Sequence, residues 1–140
     1  MGKYFKESEF LYSSTASKYK IDNTPNDEEK KHIEELIAFL DKLREAWGSP
    51  IIVSSGYRCE ELNDKVGGSK NSGHKYGWAG DLLPSNNKKR EFFEFFKEYV
   101  KDKSFDELLL EKSGKSIWIH FSLYSYQGKQ RKKIKELDVK

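Results

Sequence analysis

A short glycine-rich stretch and one later histidine most strongly constrain what this chain can fold into. His74 and Asp81 lie seven residues apart in residues 73–81 (GHKYGWAGD), and His120 lies within residues 117–122 (IWIHFS). Two imidazoles and one carboxylate, without a thiolate, are typical of catalytic zinc sites, which leave one coordination position to water. The sequence therefore predicts one Zn²⁺ per chain, held by His74, Asp81 and His120.

The spacing of the first two ligands excludes a single regular element. Donor atoms around one zinc ion lie only about 3 to 3.5 Å apart. Residues seven apart are separated by about 10.5 Å along a helix and by about 23 Å, on opposite faces, along a strand. The backbone must therefore reverse between His74 and Asp81, and Gly77 and Gly80 give it the freedom to do so.

His120 lies in a segment with the alternation of a half-buried strand. Residues 117–122 place Trp118, His120 and Ser122 on one face and only apolar side chains on the other. We expect the apolar face to pack on the core. His120 then faces a cleft, with Trp118 as a wall beside it.

A hydrolytic zinc site also needs a group that accepts the proton of the attacking water. A hairpin that turns at residues 114–115 places Glu111 opposite Trp118 and diagonal to His120. Diagonal neighbours lie about 7 to 8 Å apart at the backbone, which a glutamate side chain can span. We predict Glu111 as the general base, with Asp106 as second choice. The alternative is that Glu111 is an ordinary surface carboxylate.

Local patterns predict helices that interleave with short strands. The predicted helices span residues 26–47, 60–66 and a segment capped by Ser85 to Asn87 that carries a stripe of aromatic core residues; the predicted strands span 51–54, 78–83, 105–111 and 117–123. This order favours a single α+β domain with a small antiparallel sheet flanked by helices. We divide it into an N-terminal arm (1–25) packed on the domain, a core (26–124) and a basic tail (125–140), with residues 129–133 as a solvated end.

Composition limits the possible partners. Charged residues make up 35% of the 140 residues but nearly cancel to a net charge of +3, which gives no reason to expect nucleic acid as a partner. No apolar run approaches the roughly 18 residues of a membrane span, and Cys59 is the lone cysteine. We expect a monomer without membrane insertion and with an ordinary thiol. Charged residues interrupt the first ten positions, so we also expect synthesis in the cytoplasm without a secretion signal.

Several motifs together resemble the M15 zinc peptidases, especially the short phage and prophage branch related to D-alanyl-D-alanine carboxypeptidases. The resemblance covers about residues 5–122. It rests on Ser55-Gly56-Tyr57-Arg58, Leu62-Asn63, Val66-Gly67-Gly68-Ser69, Ser72-Gly73-His74, Gly77, Ala79, Asp81 and Trp118-Ile119-His120. The combination HxxGxAxD followed by WxH is more specific than HxxG alone.

The resemblance implies the fold shared by hedgehog signalling domains and DD-peptidases, with zinc on His74, Asp81 and His120. It implies peptidoglycan stem or crosslinking peptides as substrate, and an arginine, here Arg58, that polarises the scissile carbonyl or holds a substrate carboxylate. The expected substrate contacts are Arg58, Tyr57, Ser72, Trp78 and Trp118. An enzyme of this kind, made in the cytoplasm, would reach the wall after membrane permeabilisation, as in phage lysis, or on a virion.

One position departs from the family pattern. Many M15 peptidases carry an acidic residue or a histidine three positions before the last zinc histidine, whereas this chain has Ile117. The base must therefore come from elsewhere, as Glu111 would supply, or be missing. A missing base would make the chain a non-catalytic zinc-binding domain that recognises cell-wall peptide or a protein partner. A third possibility is an α+β domain in which the histidines and Asp81 never meet.

Overall fold

The longest helix, α3 (Asp27–Trp47), forms the side of the domain on which the sheet packs. At its N-terminus Asn26 accepts a hydrogen bond from the Glu29 amide, and the Glu29 carboxylate accepts one from the Asn26 amide. Gly48, in the left-handed conformation, ends the helix. Its buried apolar side chains recur every three or four residues: Ile33, Leu36, Ile37, Leu40 and Leu43. The predicted helix is confirmed.

The computed structural model describes residues 2–139, so residues 1 and 140, the ends of the proposed arm and tail, lie outside the described part. The elements form one mixed α+β domain, as predicted. In chain order they are α1 Glu7–Leu11, α2 Ser14–Tyr19, α3 Asp27–Trp47, β1 Ile51–Ser55, α4 Glu60–Lys65, a 3-10 helix Gly73–Tyr76, β2 Ala79–Pro84, α5 Lys89–Tyr99, β3 Glu107–Ser113, β4 Ser116–Ser122 and β5 Lys133–Asp138.

The strands form one five-stranded sheet in the order β1-β2-β4-β3-β5. The first four strands pair antiparallel, as predicted. The β3–β4 hairpin turns at Gly114, and its register places Glu111 opposite Trp118 and Leu109 opposite His120. The predicted hairpin is therefore correct in register as well as in position.

Residues 129–133 are predicted as a solvated end, and Arg131 is exposed, but Arg131 and Lys133 also make specific contacts with the rest of the domain. Lys133 begins strand β5, which pairs parallel to β3, so the sheet is not purely antiparallel. Just before it, the Arg131 guanidinium donates hydrogen bonds of 2.8 Å to both oxygens of the buried Asp106. The β5 side chains are mostly exposed, so main-chain pairing and this ion pair hold the strand without an apolar pattern that would reveal it.

The core lies between the helices and one face of the sheet. The aromatic stripe of α5 is buried there, as predicted, and the Phe96 ring lies 5.0 Å from that of Phe121 on β4. Phe10 of α1 is also fully buried. The predicted cap of α5 is one residue off, since Lys88 is the N-cap and the Asn86 side chain accepts a hydrogen bond from the Lys88 amide.

The face of the sheet away from this core carries Asp81 on β2 and His120 on β4, which are direct cross-strand partners. Among the described residues no helix combines the length and apolarity that a bilayer crossing requires.

Gly77 connects the 3-10 helix to β2 and offers a test of this loop. Its φ is +80°, and a Cβ there would lie 2.7 Å from the Glu29 carbonyl oxygen. Gly77→Ala should lower the free energy of unfolding by about 2–4 kcal/mol, because left-handed strain and overpacking add. Urea unfolding of the metal-free protein measures this change.

Gly48 is the matched control, since its φ is +81° and a Cβ added there would have no neighbouring atom within 4 Å. Gly48→Ala should cost only the conformational part, about 1 kcal/mol. Equal losses at both positions would contradict the close packing of residue 77 on α3.

Candidate metal centre

Three different elements deliver the three predicted ligands. His74 lies in the 3-10 helix, whose N-cap Ser72 accepts a hydrogen bond of 3.2 Å from the His74 amide. The chain then reverses at Gly77 and enters β2, where Asp81 pairs with His120. The fold-back that the ligand spacing requires is therefore present.

The three side chains converge on one point. Oδ1 of Asp81 lies 3.2 Å from Nε2 of His74 and 3.0 Å from Nδ1 of His120. All three residues are buried, and their candidate ligand atoms lie within 4.8 Å of one another. The two separations from Oδ1 of Asp81 match the roughly 3 to 3.5 Å expected between donor atoms around one zinc ion.

The hydrogen bonds of His74 show that the cluster suits a cation. Nδ1 of His74 lies 2.7 Å from the Gly56 carbonyl oxygen, which can only accept, so this nitrogen carries the hydrogen. In the neutral ring, Nε2 then presents a lone pair to the Asp81 carboxylate. Two acceptors at 3.2 Å repel each other unless a cation or a proton lies between them. The donor set and its orientation therefore fit Zn²⁺.

The local electrostatics place the negative charge on Asp81. Burial opposes ionisation of this carboxyl, but His74 and His120 hold its pKa below the ordinary value. Burial lowers the pKa of His74. Burial also opposes the charged form of His120, yet its hydrogen bond to Asp81 and the charges of Asp81, Glu111 and Glu107 raise its pKa. A metal bound at His120 competes with protons for the same ring, so metal affinity should fall as the pH is lowered.

Arg58 is a fixed cation beside the cluster. Its Nη2 lies 3.6 Å from Oδ2 of Asp81. Nε donates to the Ser55 hydroxyl at 3.2 Å, and Nη1 donates to Oδ1 of the fully buried Asn63 at 3.1 Å. Burial lowers the pKa of Arg58. The sequence alone indicates no separate role for Ser55 and Asn63, although both lie in the motifs that carry the family resemblance.

Two glutamates of β3 flank His120. Oε1 of Glu111 accepts a hydrogen bond of 2.8 Å from the Trp118 indole, and the charge of Glu111 contributes to the raised pKa of His120. Oε1 of Glu107 lies 3.7 Å from Nε2 of His120. The hairpin register makes both glutamates diagonal neighbours of His120, so the signal that pointed to Glu111 could also have found Glu107.

Asp106, the second choice for the base, has its carboxylate occupied by Arg131. Its carboxylate is buried and accepts three hydrogen bonds from Arg131, one from the backbone amide and two from the guanidinium. Because these bonds engage both oxygens, Asp106 serves to hold the C-terminal segment.

Of the other predicted substrate contacts, Trp118 lines a pocket, whereas Tyr57 and Ser72 make contacts within the fold. Trp118 lines a pocket of about 380 Å³ together with Asp81 and Lys115. Tyr57 is buried and donates its hydroxyl to the Glu29 carboxylate at 3.0 Å. Ser72 caps the 3-10 helix that carries His74. Substrate contact by these side chains stays a prediction.

A pair of stacked rings supports the loop between the ligands. The Trp78 ring lies 3.9 Å from that of His32, and Nδ1 of His32 lies 2.6 Å from the Tyr76 carbonyl oxygen. Trp78 also packs on Tyr124, at 4.5 Å between ring centres. The sequence alone indicates no role for His32, because nothing in its helical surroundings points to a contact with a loop more than forty residues away.

A mixed α+β domain that gathers two histidines and an aspartate at one buried point fits a zinc metallopeptidase. The chain belongs to the peptidase M15 family, since the family model described as Peptidase M15 matches residues 3–122. Over 44 residues, 31% of the chain, it is 48% identical to a zinc D-Ala-D-Ala carboxypeptidase of Streptomyces albus G. That match spans 17% of the relative's length. The predicted family and the predicted single Zn²⁺ are confirmed.

Metal analysis tests the ligand set. The purified protein should bind one zinc ion per chain, and His74→Ala or His120→Ala should abolish stoichiometric binding, because two remaining donors form a weak site. Zinc content after dialysis measures this. Glu98→Gln, which changes an exposed residue of α5 outside the cluster, is the control and should retain one zinc. Full zinc content in His74→Ala would overturn the assignment.

Proposed function

We propose that this chain is a zinc-dependent peptidase that hydrolyses amide bonds in peptidoglycan stem or crosslinking peptides. The observation that carries the proposal is the buried His74, Asp81 and His120 cluster with the Arg58 cation beside it. The name of the Streptomyces relative, a zinc D-Ala-D-Ala carboxypeptidase, supports this substrate class. The proposed place of action is the cell wall, reached after membrane permeabilisation or on a virion.

The proposed chemistry divides between the metal and the side chains around it. Zinc, when bound, supplies Lewis-acid activation of water and of the scissile carbonyl. Arg58 stabilises the negative charge that develops on the carbonyl oxygen. Its Nε and Nη1 are held by Ser55 and Asn63, so the guanidinium is fixed before the substrate arrives.

Glu111 is the proposed proton acceptor. It lies on the same face of the hairpin as His120, and the Trp118 indole holds one of its carboxylate oxygens. The indole bond fixes the carboxylate and leaves the second oxygen to accept the proton of the attacking water and pass it to the leaving amine.

The shape of the surroundings favours cleavage within a peptide. Asp81 lines one pocket together with Lys89, Lys115 and Trp118. A second pocket, of about 240 Å³, is lined by Arg58 and the hydroxyl-rich residues 13–15 of the arm. Ser54 lines both pockets, so they adjoin and together offer room for more than a single terminal residue of a substrate. We therefore propose endopeptidase cleavage, with carboxypeptidase cleavage as the alternative.

One observation favours a second candidate function. Ile117 occupies the place where many relatives carry an acid or a histidine, and it packs against the hydrophobic core. A chain without an effective base would be a zinc-binding domain that recognises cell-wall peptide without cutting it. Glu111 is the residue that separates the two functions.

Hydrolysis of purified peptidoglycan tests the proposed function. The wild-type protein should release new amino termini, and a chelator should stop this release. Glu111→Gln should lower the rate by about 100-fold or more while zinc content is unchanged, because it removes the proton acceptor and leaves the ligands. Glu98→Gln, which changes an exposed glutamate of α5, is the control and should act as wild type.

The outcomes separate the candidates. Binding to peptidoglycan without release of amino termini would support the recognition domain and overturn the peptidase. Full activity in Glu111→Gln would overturn its assignment as the base. Release of only single terminal residues from peptides of defined length would support carboxypeptidase cleavage.

A further inference from the structure

We propose that Glu107 and Arg131 are positioning residues of the zinc site. Glu107 orients the His120 imidazole, and Arg131, anchored on the buried Asp106, orients Glu107. The inference deepens the proposed function, since it rests on the same zinc site. It adds residue 131, which lies beyond the segment that matches the family model, residues 3–122.

The first step concerns the two ring nitrogens of His120. Nδ1 faces Asp81 at 3.0 Å and is the atom that points to the metal position. When this nitrogen offers its lone pair to a metal, Nε2 must carry the hydrogen. His120 is buried, so this N–H needs an acceptor from the protein. The carboxylate of Glu107 lies 3.7 Å away, close enough to accept it after a small side-chain movement.

The second step concerns what holds Glu107. Its Oε1 faces His120, while its Oε2 lies 3.6 Å from Nη2 of Arg131. The two carboxylate oxygens therefore have different partners, one on each side. The arginine attracts the Glu107 carboxylate and restricts the rotamer that reaches His120.

The third step concerns the anchor of Arg131. Its guanidinium donates to Oδ1 and Oδ2 of Asp106 at 2.8 Å each. A lysine could not form this bidentate pair. Burial opposes ionisation of Asp106, but the hydrogen bonds and charge of Arg131 hold its pKa below the ordinary value. The amides of Lys132 and Lys133 donate to the carbonyls of Phe105 and Asp106. Main-chain pairing therefore fixes Arg131 next to β3.

The result is a chain of contacts from the C-terminal segment to the metal position: Asp106, Arg131, Glu107, His120. His74 has a different outer partner, the Gly56 carbonyl, which is neutral. A carboxylate partner raises the basicity of a metal-bound imidazole more than a carbonyl does, and loss of such partners typically costs about 10–100-fold in metal affinity. The C-terminal segment thereby strengthens zinc binding.

Zinc affinity, measured by competition with a chromophoric chelator, tests this proposal without reference to hydrolysis. Glu107→Gln should bind zinc about 10–100-fold more weakly than wild type. Arg131→Lys should also bind zinc more weakly than wild type. Lysine keeps the positive charge beside Asp106 but cannot contact Asp106 and Glu107 at the same time. The double variant should be no weaker than Glu107→Gln, because Arg131 acts through Glu107.

Two controls separate positioning from other effects. Glu98→Gln, which changes an exposed glutamate of α5, should keep wild-type zinc affinity. Far-UV circular dichroism and urea unfolding of the metal-free variants identify any that are misfolded. The absorption spectrum of the Co²⁺-substituted protein should change in Glu107→Gln and stay as wild type in Glu98→Gln.

Three outcomes would overturn the proposal. Wild-type zinc affinity in folded Glu107→Gln would show that its carboxylate does not support His120. Lower hydrolysis in that variant with unchanged zinc affinity would instead make Glu107 a proton acceptor. Independent, multiplying losses in the double variant would show that Arg131 does not act through Glu107. Failure of the wild-type protein to cleave peptidoglycan would overturn the proposed function but leave these affinity measurements valid.

Discussion

Asp81 lies between two imidazoles, and one of its oxygens is within 3.2 Å of a ring nitrogen of each. The carboxylate and the His74 lone pair can be buried together only if a positive charge lies among them, since an uncompensated buried charge is costly. In the metal-free protein a proton on His120 can supply that charge. In the zinc form a divalent ion replaces that proton. The surrounding chain holds His74, Asp81 and His120 in place around it.

Much of the fold supports this convergence. The antiparallel pairing of β2 and β4 places Asp81 opposite His120. The loop that carries His74 is fixed by the Gly77 turn and by the stacked rings of His32 and Trp78. On the far side of Asp81, Arg58 is held by Ser55 and Asn63. The site therefore lies on rigid elements, which is the arrangement that catalytic geometry requires.

The sequence predicts the parts of the structure that depend on local pattern or on ligand chemistry. The hairpin register follows from the turn at residues 114–115 and from the alternation of β4, and it correctly places Glu111 opposite Trp118. The reversal between His74 and Asp81 follows from the size of a zinc site. Both inferences need only distances that amino acids and metals impose.

The parts that the sequence does not predict depend on contacts between distant segments. Strand β5 has no apolar alternation, since main-chain pairing and the Arg131–Asp106 ion pair hold it to β3. His32 contacts the ligand loop across the fold, and its helical surroundings give no sign of this. The basic character of residues 129–133 predicts a solvated end because local charge does not reveal a buried carboxylate elsewhere in the chain.

X-ray absorption spectroscopy at the zinc edge tests the central claim most directly, because it counts and identifies the atoms that bind the metal. We expect two imidazole nitrogens and oxygen ligands at about 2.0–2.2 Å, with no sulfur. A sulfur scatterer at about 2.3 Å, which would place Cys59 on the metal, or a shell with fewer than two imidazoles would contradict the assigned ligand set.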